Sequence, residues 1–188
     1  MDIYANQLID YLKKNHNEFN IQSFRPRLDF ISSLITLKSI KMRYARYISY
    51  PKQIKNLPLT DIAHICDHQY AHLYSSIKSK VKFVSVHDMT PFVFYKKIGR
   101  WPRLLAYSLS KLKYFNQVFT VSENTKRDVL KYTDCPESKI QVISEVVEDL
   151  FNNLKIDESK ICEKYSLPKD KKKILVTGNI WYKNIITV

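Results

Sequence analysis

Apolar residues recur at helical spacing from the start of the chain: Ile3, Leu8, Ile9 and Leu12, with Tyr4 and Tyr11 beside them. Asn15 and Asn17 stop that pattern. Residues 19–24 then alternate apolar and polar, which predicts a half-buried strand ended by Pro26. Residues 30–50 predict one long helix. Leu37, Ile40, Tyr44, Tyr47 and Ile48 fall on an apolar arc, with Lys38, Arg43 and Arg46 on the other side. Pro51 and Pro58 bracket a predicted loop.

Further along, strands and helices alternate. Residues 61–67 read as a strand with a polar end and residues 68–78 as a helix. The β-branched run over 81–86 leads straight into His87 and Asp88. Residues 103–115 form a helix entered through Trp101 and Pro102, and Pro102 suits a first turn. A strand over 117–121 ends at Ser122, a helix spans 123–132, and a last strand spans 140–143. Such alternation predicts an α/β protein: a Rossmann-like parallel sheet with helices on both faces. In sheets of this kind the ligand crevice lies beyond the carboxyl ends of the strands. Three consecutive strands end there in polar, chemically capable residues: Asp67 and His68, His87 and Asp88, and Ser122 and Glu123.

Residues 152–172 are rich in Lys, Asp, Glu and Asn and read as a linker, with a short helical stretch over 157–165. They separate a first domain, residues 1–151, from the start of another α/β unit at 173–188, which opens with a strand over 173–176.

Composition narrows the classes. Hydrophobic residues make up 45% and aromatics 13%, which excludes general disorder. No apolar run reaches the roughly 18 residues of a membrane span, and the first residues lack a signal-peptide pattern. A cytoplasmic location is expected, with peripheral contact at the inner membrane face. Only two glycines occur, Gly99 and Gly178, so no Gly-rich phosphate loop lies in the first 98 residues. The net charge of +13 favours anionic partners: nucleic acid, an acidic membrane face or phosphorylated substrates. Cys66, Cys135 and Cys162 are too far apart for a CxxC pair and are expected as inert thiols, mostly buried.

Each candidate group has a plainer alternative. His64, His68 and His72 are spaced by four, but the first falls in a predicted strand, so a zinc face is not expected. His72 is expected as a partly exposed helix residue. His87 ends a strand, unlike the helical dyad of metal-dependent phosphohydrolases. It is either a crevice imidazole that stabilises a reacting group or a structural loop histidine. Ser122 is either a plain helix N-cap or part of an anion-facing helix start, and no GxSxG surrounds it. The basic, tyrosine-rich residues 38–55 could face nucleic acid. Tyr44 and Tyr47 instead share the apolar arc, which assigns them to core or interface; the basic side suits an anionic membrane surface, and a plain solvated face is the commonest explanation of such a run.

Four ordered segments carry a resemblance. They are residues 84–91 (VSVHDMTP), 118–128 (VFTVSENTKRD), 135–143 (CPESKIQVI, followed by Phe151) and 176–184 (VTGNIWYKN). In order and spacing the set resembles the family 4 glycosyltransferases of the GT-B fold over about residues 60–188. The resemblance implies retaining, nucleotide-sugar-dependent hexosyl transfer to a glycan or lipid-linked acceptor, as in polysaccharide biosynthesis. It implies no bound metal and no cofactor beyond the nucleotide-sugar substrate. His87 would be the catalytic imidazole near the transferred sugar, and Asp67, His68, Asp88 and Ser122 would line the acceptor-side cleft. Lys183, Asn179 and Gly178 would hold the donor diphosphate, where a lysine serves as a point charge.

The departures shape the expectation. The chain starts at the family's first helix, where YANQLI (residues 4–9) matches, without the first strand and Gly-rich loop before it. Thr177 stands where the second domain's loop has its first glycine, and its side chain would crowd a diphosphate. The family's later glutamate pair is absent. The resemblance therefore implies a partial chain with little or no activity alone. The alternatives are a non-catalytic acceptor-binding module working with a partner chain, or a basic nucleic-acid-binding protein. The last rests on charge alone and is the least expected.

Overall fold

The alternating strand and helix patterns of the middle of the chain fold into one parallel sheet. The computed structural model describes residues 2–97, 102–144, 157–168 and 170–172. Among them, the sheet comprises β1 (Thr60–Ile65), β2 (Ser79–Val86), β3 (Gln117–Thr120) and β4 (Ile140–Val142). The strands are parallel and lie side by side in chain order. The register pairs Ile65 with Val84, Val84 with Val118, and Val118 with Ile140. Side chains alternate across a strand, so these residues share one face, and His64, Phe83, Ser85 and Phe119 share the other.

The first face holds the core. Val84, Val86, Val118 and Ile140 pack with Ala71 from the first crossover. The second crossover adds Met89, Phe92, Leu109, Leu112 and Phe115, and the third adds Val129 and Cys135. All three connections therefore cover the same face. This is the arrangement that crossovers of one hand give when neighbouring strands follow chain order. The crossover elements are a 3-10 helix (His68–Ser76), α5 (Thr90–Lys97), α6 (Arg103–Leu109), a 3-10 turn (Leu112–Tyr114) and α7 (Glu123–Tyr132). The helix on the other face comes from outside the crossovers. The second face is touched by α1 (Asp2–Asn15), whose Tyr4 hydroxyl lies 2.9 Å from Ser85 Oγ.

α5 was not foreseen. Asp88 Oδ1 accepts a hydrogen bond from the Thr90 backbone N–H at 2.9 Å and starts the turn, and Pro91 fits a first turn.

Three expectations fail in the N-terminal part. Residues 19–24 form no strand, because no other segment among the described residues pairs with them. Alternation supplies a face but not a partner. The segment is fastened further along, where Gln53 takes the Arg27 N–H at 3.0 Å and donates to the Arg27 carbonyl at 2.7 Å. The long helix of residues 30–50 is instead broken into α2 (Phe30–Leu34), α3 (Lys38–Tyr44), a π turn (Ala45–Ser49) and α4 (Tyr50–Lys55). Pro51 is inside α4 rather than in a loop. Having no N–H, it leaves the carbonyl of residue 47 without its helical donor. The ladder widens just before it, where Tyr50 N–H bonds the Ala45 carbonyl.

The chain divides into two compact units, Met1–Glu145 and Val146–Val188. In the second, α8 (Glu158–Lys164) is capped by Asp157, which accepts from Lys160 N–H at 3.2 Å. It ends with Ser166 at φ 51°, while the Leu167 N–H reaches the Cys162 carbonyl at 2.8 Å. The expected boundary at 151/152 and the expected strand over 173–176 lie outside the described residues.

Candidate functional site

β2 ends at Val86, so His87 is the first residue past its carboxyl end. Its Nε2 lies 2.8 Å from the Cys66 carbonyl, just past the end of β1. A carbonyl only accepts, so Nε2 carries the proton and donates. The His87 carbonyl accepts from Thr125 Oγ1 at 3.3 Å, and Thr125 N–H donates to Ser122 Oγ at 3.1 Å. His87 is thereby tied to the ends of both neighbouring strands. Its side chain is half-buried and that of Asp88 is exposed.

Asp67 Oδ1 accepts from Gln69 N–H at 2.8 Å and so caps the 3-10 helix that follows. His68 is buried beside it. Its Nδ1 lies 3.5 Å from Asp67 Oδ1 without hydrogen-bond alignment, and no other group satisfies that nitrogen. Burial holds the His68 imidazole below the usual histidine range, against the opposing pull of Asp67 and Asp88. The four residues expected to line the acceptor-side cleft, Asp67, His68, Asp88 and Ser122, thus come with the expected catalytic imidazole, His87, to one edge of the sheet. Lys183, Asn179 and Gly178 lie outside the described residues.

Ser85 and Tyr4 escaped sequence reasoning as site residues, and His64 entered it only as a zinc candidate. Ser85 Oγ lies 2.8 Å from His64 Nε2 and 2.9 Å from the Tyr4 hydroxyl. The Tyr4 ring meets the His87 ring edge-on, with centroids 5.0 Å apart. Phe83 and Phe119 flank His64 at 6.4 and 5.6 Å. Burial, followed by the proximity of His87, lowers the His64 pKa to about 4, so the ring is neutral near neutral pH. A serine beside a neutral imidazole suggests a nucleophile. However, Ser85 is only 2% exposed, so it positions its neighbours instead. The available signal was the lone polar side chain between Val84 and Val86, which a one-strand reading cannot match to His64 or Tyr4.

His72 corrects a further expectation: it is buried rather than partly exposed. Its Nδ1 lies 2.9 Å from Ser108 Oγ and its Nε2 3.0 Å from the Arg46 carbonyl, so both nitrogens are engaged in holding the helices together. Burial lowers its pKa also. Cys135 and Cys162 are buried and Cys66 half-buried, and all three are free thiols. Burial pushes the Cys135 thiol up to about 11 and also raises that of Cys66.

Among the described residues no group of three or more His, Cys, Asp or Glu is arranged to hold a metal ion. The edge instead offers an imidazole, two carboxylates and a hydroxyl within one cluster. That set suits a ligand with several hydroxyl groups, because each can donate or accept. No family model matches the chain, and no curated protein or solved structure matches it significantly. No helix among the described residues is long and apolar enough to cross a membrane.

Proposed function

We propose that the unit containing the sheet is the acceptor-side domain of a retaining, nucleotide-sugar-dependent glycosyltransferase. The observation that carries the reading is the meeting of Asp67, His68, His87, Asp88 and Ser122 at the carboxyl edge of a parallel sheet, with the His87 imidazole half-open to solvent. In this reading His87 orients the hydroxyls of the transferred sugar and stabilises its developing positive character. Asp67 and Asp88 hold acceptor hydroxyls. The hydrogen bond to the Cys66 carbonyl fixes the ring, and Tyr4 supports its face. By the same resemblance Lys183, Gly178 and Asn179, which lie outside the described residues, would hold the donor diphosphate.

Calorimetric titration of the full chain with UDP- and GDP-hexoses, and with soluble oligosaccharides, tests the reading. The expected result is saturable binding weakened at least about tenfold, or 1.4 kcal/mol, by His87→Ala. Binding that ignores His87→Ala overturns the assigned role. No sugar binding, together with retention on DNA that survives high salt, overturns the reading in favour of a nucleic-acid partner.

A further inference from the structure

The amphipathic pattern of residues 30–48 folds with its large apolar side chains outward. Phe30 is 77% exposed, Leu34 64%, Leu37 62% and Ile40 49%. The buried positions of the same stretch are small ones, Ser32 and Ala45. Large apolar side chains exposed among the described residues are concentrated between Phe19 and Ile48. Large apolar side chains left exposed this close together in the chain point to a docking site.

The charges beside it select the partner. Residues 30–43 contain Lys38, Lys41 and Arg43 and no acidic residue. The nearest acid, Asp29, is taken up by capping α2, accepting from Ser32 N–H at 2.8 Å and Ser32 Oγ at 2.6 Å. A nucleic acid would use the charge but leave leucine and isoleucine wet. A second copy would set the same basic residues against each other across a two-fold axis. An anionic bilayer accepts both, apolar groups at the acyl boundary and cations among the headgroups.

We propose that α2 and α3 dock the protein on an anionic lipid surface, with Phe30 and Leu34 entering the interface and Lys38, Lys41 and Arg43 contacting headgroups. This does not depend on the glycosyl-transfer reading. Co-sedimentation of the full chain with phosphatidylcholine vesicles, with and without phosphatidylglycerol, tests it. The wild type is expected to bind the phosphatidylglycerol vesicles at least about tenfold more tightly. Two surface variants, Phe30→Ser with Leu34→Ser, and Lys38→Gln with Lys41→Gln and Arg43→Gln, are each expected to lose about tenfold while keeping the wild-type melting temperature. Failure of the wild type to bind overturns the proposal, as does binding that the apolar variant leaves unchanged. A wild-type dimer in solution that the apolar variant makes monomeric, with no vesicle binding, also overturns it and makes a second copy the occupant.

Discussion

On the crossover side of the sheet, Val84, Val86 and Val118 meet Met89, Leu112 and Phe115. Buried among them, Thr120 Oγ1 has no hydrogen-bond partner. On the other side Phe83 and Phe119 surround a hydrogen-bonded chain from His64 through Ser85 to Tyr4. The first face stabilises by apolar area, which is insensitive to pH and tolerant of direction. The second depends on short polar contacts that have one good geometry and respond to protonation. His87 is tied to the second through the Tyr4 ring, so the face with less apolar packing is the one that positions the candidate site.

The largest test of this contrast is Phe115→Ala. Phe115 is fully buried, and its truncation is expected to cost about 3–5 kcal/mol in denaturant unfolding. The loss should be nearly the same at pH 5 and pH 7. A strongly pH-dependent loss would break the contrast.

Next comes acid. Folded His64 titrates at about 4 and the unfolded residue near 6.5. Between those values the unfolded chain binds more protons, so stability falls as pH falls from about 6.5 to about 4, and its His64 contribution is complete above that window. The His64 share is on the order of 1–3 kcal/mol. Burial moves His68 and His72 in the same direction, so His64→Gln should reduce the slope without abolishing it. Equal slopes in wild type and variant would place the acid sensitivity elsewhere.

The smallest effect belongs to Tyr4→Phe, which keeps the ring and removes the hydroxyl bond to Ser85. About 0.5–1.5 kcal/mol is expected. Hydrogen exchange should rise in α1 and leave β3 unchanged. Faster exchange throughout the sheet would mean that the two faces do not behave separately.

The sheet was legible because its strands are β-branched runs bounded by polar ends, and because a parallel order follows from strand and helix alternation. The placement of Asp67, His87 and Ser122 at one edge followed from that order alone. The N-terminal part was not legible for a physical reason. Periodicity identifies an apolar arc but not what covers it, and Leu37 and Ile40 face outward where the pattern pointed inward. Residues 19–24 have a strand's alternation without a ladder to join. Ser85 and Tyr4 lie 81 positions apart, and only the register of the sheet and the seat of α1 bring them together.

The rim at the carboxyl edge is tested most directly by nuclear magnetic resonance on the 15N-labelled full chain, titrated with UDP-glucose and GDP-mannose. The expected result is that signals of Asp67, His68, His87, Asp88 and Ser122 shift together along one saturating curve with at least one of the two. Shifts confined to other surfaces, or an unmoved His87 ring at saturation, would contradict the account.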